Sequence, residues 1–320
     1  MTVKPVLWLP RKVSDATIAR ARENYEVIIN EADTPGTADE IIAMSALADA
    51  MMPCHSEHFS AHVVGQLDGR LKILANHSVG VDHCDLDALR GRGIVVTNTP
   101  DVLSDATAEL AMLLMLGAAR HAVAADRLVR TGGWDSWSPA FMVGKQLTGA
   151  RLGIVGMGRV GCAFAAKARG FGMDVHYYNR KRVSPEKEQG ATYHETVESL
   201  LAQADFLSLH CPATPETQNL MNTERFCLLP DGAVLVNTAR GALVDEDALL
   251  DAITSGKLAA AGLDCFKVEP GGNAAFAAHD NIFMLPHIGS ATTRTRDAMG
   301  FRALDNLDAF FAGGNPKDAL

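Results

Sequence analysis

Short uninterrupted apolar runs alternate along the chain with longer stretches in which apolar positions recur at helical spacing. Such alternation favours parallel strands covered by helices. It predicts strands over residues 6–9, 25–29, 48–52, 71–75 and 94–97, with helices over 14–24 and 39–46. Asn98-Thr99-Pro100 breaks the last of these strands and reads as a hinge. A long apolar helix is expected over 104–125, capped by Ser104 or Asp105, its Leu and Met stripe suited to a core or a subunit interface. From residue 151 the alternation resumes. Strands are expected near 152–155, 174–178, 204–209, 233–237, 259–264 and 282–285, and helices at 162–169, 196–202, 245–255 and 292–311. The fold class is therefore α/β, with an N-terminal α/β region followed by a doubly wound parallel sheet of six or seven strands.

The 320 residues suffice for two domains, each with its own core. A formal net charge of −9 argues against nucleic-acid binding, which calls for a basic face. No apolar segment has the length and flanks of a signal peptide or a membrane span. The six cysteines lie far apart without a C-x-x-C pair, which suits free thiols in a reducing cytoplasm. His58 and His62, four apart on an expected surface helix, lack the H-E-x-x-H order, so no metal site is expected. The loop from Gly132 to Met142 holds Trp134, Trp137 and Phe141, too much apolar surface to face water. It should pack on a neighbouring domain or a second subunit.

Among these elements one turn carries specific chemistry. Gly156, Gly158 and Gly161 form G-x-G-x-x-G directly after a strand and ahead of a helix. With 28 glycines in the chain the spacing alone is weak, but that context is what a dinucleotide site needs. The first glycine turns tightly, the second admits the pyrophosphate and the third lets helix pack on strand. Where an NAD site places Asp or Glu after the second strand, this chain has Asn179 followed by Arg180, Lys181 and Arg182. The missing acid and the three cations favour NADP(H) over NAD(H), because a 2′-phosphate repels the acid and pairs with arginine.

Polar residues also mark later strand ends. Arg240 follows one strand, Glu269 lies in the loop after another, and His287 follows a third. Together they would supply a guanidinium for a carboxylate, an imidazole acid/base and a carboxylate to orient the ring. The small-residue turn after 71–75, containing Val79 and Gly80, could hold a carboxylate on its N–H groups or be a plain βα turn.

From Val63 to the last helix the chain resembles the R-specific (D-isomer) 2-hydroxyacid dehydrogenases. It carries their G-x-G-x-x-G, the N-T-A-R-G at 237–241, the G-L-D-x-F-x-x-E-P at 262–270 and the P-H-I-G-S-A-T at 286–292, in order. The resemblance implies a Rossmann-type nucleotide domain, residues 101–287, inserted into a flavodoxin-like substrate domain made of 1–100 and 288–320. It further implies that His287 protonates the carbonyl oxygen during hydride transfer while Glu269 holds the ring. Arg240 and the Val79–Gly80 backbone would bind the 2-oxo acid, with Ser290 beside its pocket and Trp137, also a substrate-site residue, reaching towards the partner subunit's active site. Thr107, Arg159, Val160, Cys211, Pro212, Thr217, Thr238, Ala239, Asp264 and Gly289 would line the cofactor groove. A homodimer through the nucleotide domain is also implied.

Within the family, the Trp-rich loop and Asn179-Arg180 resemble NADPH-dependent glyoxylate and hydroxypyruvate reductases, which reduce a small 2-oxo acid. The 2-keto-gluconate reductases share these motifs. A dinucleotide-sensing corepressor would use the same fold without chemistry, and the set Arg240, Glu269 and His287 weighs against it.

Overall fold

Burial on both faces of short strands dictates the architecture. In the computed structural model, which describes residues 3–320, all four side chains of β1 (Val6–Leu9) are buried. Val6 and Trp8 enter one core and Leu7 and Leu9 another, as a strand covered on both sides requires. The elements that follow are α1 (Asp15–Asn24), β2 (Glu26–Ile29), α2 (Ala38–Ser45), β3 (Ala50–Met51), α3 (Ala61–Gln66), β4 (Ile73–Ala75), α4 (Leu86–Gly91) and β5 (Val95–Thr97). Then come α5 (Ser104–Ala119), α6 (Ala122–Arg130), β6 (Arg151–Val155), α7 (Arg159–Gly170), β7 (Asp174–Tyr178), α8 (Pro185–Glu188), β8 (Thr192–His194), α9 (Val197–Leu201) and β9 (Phe206–Leu209). The chain closes with α10 (Thr223–Leu228), β10 (Ala233–Asn237), α11 (Glu246–Thr254), β11 (Leu258–Leu263), β12 (Ile282–Met284) and α12 (Thr293–Phe311).

Two compact units result. One comprises the described residues up to Leu103 together with Ala291–Leu320; the other is Ser104–Ser290. The first holds a five-stranded sheet in the order β2-β1-β3-β4-β5, with every neighbouring pair parallel. The C-terminal segment belongs to it because α12 places Ala303, Leu304 and Leu307 in the core beside Leu7 and Ile73. Glycine at 300 allows the close approach of α12 to α1, since a Cβ there would meet Thr17 Oγ1 at 2.0 Å. Beyond α12, Asp318 accepts from Arg302 at 2.5 and 2.8 Å and from Asn306 at 3.0 Å.

The second unit holds a seven-stranded parallel sheet in the order β12-β11-β10-β9-β6-β7-β8. Its strand order reverses between β6 and β9, which is where open α/β sheets leave a crevice at the strands' C-terminal ends. The second crossing between units falls after Ser290 rather than at 287/288 for a visible reason. Ile288 and Gly289 each donate a backbone N–H to Asp264, at 2.8 Å, and so stay with the second unit.

Some expectations are corrected. The helix expected over 104–125 breaks into α5 and α6, which meet at 68°. The N–H of Lys145 takes the carbonyl of Ala119 at 2.8 Å, and His121 adopts the left-handed conformation. Gly144 must be glycine there, because a Cβ would lie 2.2 Å from that same carbonyl oxygen. His58 is not helical: α3 starts after its Ser60 cap, so His58 and His62 do not share a helix face. The elements α4, α8, β8 and α10 were not anticipated. Among the described residues no single helix is long and apolar enough to cross a membrane. The bent pair α5 and α6 passes on length and composition, but α5 lies in the core of the second unit.

Candidate active site

The glycine loop follows β6 at the reversal point. Gly156 has φ +102, and a Cβ on it would sit 2.6 Å from the backbone of His210 and Cys211 at the end of β9. A Cβ on Gly161 would lie 2.2 Å from the Gly156 carbonyl oxygen, so helix and loop touch backbone to backbone. Gly158, by contrast, faces open space and precedes α7 as its N-cap without a side-chain cap. The first N–H groups of α7, at Arg159 and Val160, therefore lie where an anion gains from the helix dipole.

After β7, the side chain of Asn179 turns back to this loop. Its Oδ1 accepts from the Met157 N–H at 2.7 Å. The three cations beyond it divide into two groups. Arg182 is held by Glu188, with contacts of 2.6 and 3.0 Å, and lies over the Tyr193 ring. The Arg182 guanidinium and then the Tyr177 hydroxyl, at 2.5 Å, hold the Glu188 carboxyl down at about 2. Arg182 thus has a structural partner that the sequence pattern did not reveal. Arg180 and Lys181 are exposed.

Arg240 stands on a turn built by the buried Asn237, whose Nδ2 donates to the Arg240 carbonyl at 2.8 Å and whose Oδ1 accepts from Ala239 N–H at 3.0 Å. This is an Asx-type turn, legible in the Asn of N-T-A-R-G. The next residue, Gly241, packs so closely on the loop after β11 that a Cβ would fall 1.9 Å from the Phe266 carbonyl carbon. Phe266 in turn donates its N–H to Glu269 Oε1 at 2.7 Å, and Glu269 Oε2 lies 2.6 Å from His287 Nδ1. Arginine turn, carboxylate and imidazole are thereby connected through backbone contacts. Both side chains of the Glu–His pair keep some exposure, 22% and 28%, and His287 has φ +54.

Beneath them, Asp264 is buried and takes the N–H groups of Ile288 and Gly289 on its two oxygens. Burial pushes its carboxyl up to about 6, against those two bonds, which favour the charge. Thr107, in the first turn of α5, is its neighbour: a Cβ on Gly289 would meet Asp264 Oδ2 at 3.2 Å and Thr107 at 3.3 Å.

The remaining expected groove residues fall at the same strand ends. Cys211 and Pro212 follow β9, and the Thr217 hydroxyl closes the loop after them by donating to the Pro212 carbonyl at 2.8 Å. The Thr238 hydroxyl is buried without a protein partner. Ser290 is half-buried just past Gly289, whereas Trp137 stands 72% exposed on the loop after α6. Val79 and Gly80 lie in the first unit, on the turn after β4.

Residues 112–289 match the family described as D-isomer specific 2-hydroxyacid dehydrogenase, NAD binding domain. The chain belongs to this family. It is 42% identical over 308 residues to a glycerate dehydrogenase of Hyphomicrobium methylovorum, covering 96% of each chain. With a glyoxylate reductase of Pyrococcus furiosus it shares 41% over 319 residues, 98% of this chain and 94% of that one. Among solved structures it is similar to an NADPH-dependent glyoxylate/hydroxypyruvate reductase of Sinorhizobium meliloti in complex with NADP and malonate. That TM-score is 0.87 at 32% identity, over 99% of this chain and 97% of that one.

For a D-isomer specific 2-hydroxyacid dehydrogenase the residues present fit a dinucleotide. The tight contacts at Gly156 and Gly161, the open face of Gly158 and the unpartnered Thr238 hydroxyl all accommodate one. What the sequence reading missed is the support behind the functional groups: Asn237, Phe266 N–H and Glu188. Only Asn237 had a local signal, its position two residues before the amide it caps.

Proposed function

We propose that this dehydrogenase reduces a short 2-oxo acid, of the glyoxylate or hydroxypyruvate kind, to the D-2-hydroxy acid with NADPH. The observation that carries this reading is the Glu269–His287 pair at 2.6 Å, tied through Phe266 to the Arg240 turn. Glu269 orients Nδ1 and stabilises the imidazolium, which leaves Nε2 to give a proton to the substrate's carbonyl oxygen. Arg240 offers a forked donor suited to a carboxylate, and within the first unit the N–H groups of Val79 and Gly80 suit the same chemical group. When bound, the nicotinamide supplies the hydride to the carbonyl carbon. The second unit would hold the cofactor on its glycine loop, α7 N-terminus, Thr107, Cys211, Pro212, Thr217, Thr238, Ala239, Asp264 and Gly289; the first unit would serve the substrate.

The preference for NADPH rests on Asn179, which has no charge to repel a 2′-phosphate, and on Arg180 and Lys181, which are exposed to meet one. We further propose a homodimer through the second unit. Trp134, Trp137, Phe141 and Val143 are exposed at 57%, 72%, 39% and 69%, an apolar surface suited to a second copy. A reducing, cytoplasmic setting suits the six free cysteines.

The 42% identity to a glycerate dehydrogenase supports the same chemistry run toward oxidation, with His287 as base. The deciding experiment is His287→Ala. Turnover of NADPH with glyoxylate should be abolished while NADPH binding stays within twofold. A variant with near-normal turnover would remove His287 from the mechanism.

A further inference from the structure

We propose that Asn98 and Ser78 are positioning residues that aim the backbone N–H groups of Gly80 and Val81, beside that of Val79, at the substrate's carboxylate. This deepens the function proposed above and rests on it.

Every link lies within the first unit, on the turns after β4 and β5. The carbonyl of Ser78 accepts from the Thr99 N–H at 2.9 Å. The carbonyl of Val79 accepts from Asn98 Nδ2 at 2.8 Å, and that of Gly80 from the Ser78 hydroxyl at 2.7 Å. Three successive carbonyls are therefore tied down. In a planar trans peptide the N–H of the next residue points opposite to the carbonyl. Fixing those carbonyls consequently turns the N–H groups of Val79, Gly80 and Val81 the other way, and none of the three has a protein acceptor among the described residues. Successive N–H groups of this kind form an anion-binding concavity.

The clamp itself has a rigid base. Asn76, fully buried, donates from Nδ2 to the Thr97 carbonyl at 3.0 Å, and its Oδ1 lies 2.7 Å from His83 Nε2. The Asn98 carbonyl accepts from Asn306 Nδ2 at 3.4 Å. Because a carbonyl can only accept, the atom of Asn98 facing Val79 is its amide nitrogen. Aspartate at 98 could not replace it, having no proton to donate and a charge that would repel that carbonyl. Serine at 78 acts by its hydroxyl, which threonine also carries.

The test uses the enzyme loaded with NADPH. In Asn98→Ala and in Ser78→Ala, KM for glyoxylate and the inhibition constant of oxalate should each rise about tenfold, the equivalent of one lost directed bond. Meanwhile kcat and the KM for NADPH should stay within about twofold, since the clamp acts on the carboxylate and not on the reacting atoms. Ser78→Thr should restore the wild-type KM, and Asn98→Asp should be worse than Asn98→Ala. Unchanged KM and inhibition constant in both alanine variants would overturn the proposal. So would a parallel rise in the KM for NADPH, or a failure of Ser78→Thr to rescue. If the wild-type enzyme reduces no 2-oxo acid, the proposed function has failed instead. Oxalate titrated calorimetrically into the NADPH-loaded protein then decides: tenfold weaker binding by Asn98→Ala supports the clamp, and equal binding overturns it.

Discussion

Replacing Glu269 by Gln removes one charge while keeping the side chain's shape. The pair is separated by 2.6 Å and each side chain is about a quarter exposed, which places it between a dry and a fully wet environment. At an effective dielectric near 40, the carboxylate stabilises an imidazolium by about 3 kcal/mol. The hydrogen bonding changes as well. Phe266 N–H needs an acceptor at Oε1, so the amide carbonyl of Gln stays there and its NH2 group faces Nδ1. Nδ1 must then accept, and the neutral ring carries its proton on Nε2. Turning the amide over would strand the Phe266 N–H at about 1–3 kcal/mol. Reduction would start from a neutral ring and leave an imidazolate; oxidation would lack the lone pair on Nε2. About 3 kcal/mol corresponds to a loss of about 100-fold in kcat/KM near neutral pH. Because the overall equilibrium is unchanged, both directions must fall by the same factor. The assay is steady-state NADPH oxidation with glyoxylate, NADP reduction with D-glycerate and a separate NADPH titration. A kcat/KM within threefold of wild type in Glu269→Gln would show that the Glu269 charge does not assist proton transfer at His287.

Other expectations are more local. Arg180→Ala should raise the KM for NADPH about tenfold and leave that for NADH unchanged, as befits the loss of one phosphate contact. Arg182→Ala should leave both within twofold, because its guanidinium is engaged by Glu188; the reverse pattern would exchange their roles. Gly161→Ala drives a methyl group to 2.2 Å from a carbonyl oxygen, and should cost about 1–3 kcal/mol, lower the Tm by several degrees and weaken cofactor binding at least tenfold. A normal Tm with normal binding would contradict the backbone contact. Burial raises the Asp318 carboxyl, but Arg302 and Asn306 outweigh it and hold the group below the ordinary carboxylate range. Its contribution is thus present in full above that range and is lost as the pH falls from there through the lower value the folded protein imposes. Wild type should exceed Asp318→Asn in urea stability at pH 6, and the gap should close toward pH 3; a constant gap would argue against the charge pairing.

The legible parts of this fold were those written in local pattern. Strands β1 and β10 lay at the expected residues because short apolar runs buried on both faces admit few alternatives, and β7 did so through the alternation of buried Val175 and Tyr177 with more exposed neighbours. Several helix starts were readable for a similar reason: Ser14, Thr196, Asp245 and Thr292 each accept an N–H of the first turn. The break at Ala119 was not readable, since it depends on Lys145 and Gly144 arriving from more than twenty residues away. Edge strand β8 carries Thr192, Tyr193 and His194, of which none is fully buried, so it lacks an apolar run. At the site, Arg240, Glu269 and His287 stood out as charges beside strand ends. The engagement of Arg182 by Glu188 did not, because a run of cations reads alike whether it faces solvent or an acid. Nor did the Ser78–Asn98 clamp, which joins two turns through a carbonyl that no side-chain pattern records.

The proposed chemistry is reduction of a short 2-oxo acid by NADPH at a Glu-braced histidine and an arginine. The most direct measurement is kcat/KM of the unmodified enzyme for glyoxylate, hydroxypyruvate and 2-keto-gluconate, each with NADPH and with NADH, and the configuration of the product from hydroxypyruvate. Glyoxylate and hydroxypyruvate should lead, NADPH should be used at least tenfold better than NADH, and the product should be D-glycerate. Oxidation of NADPH by none of these acids, with the dinucleotide nonetheless bound, would contradict the proposed chemistry.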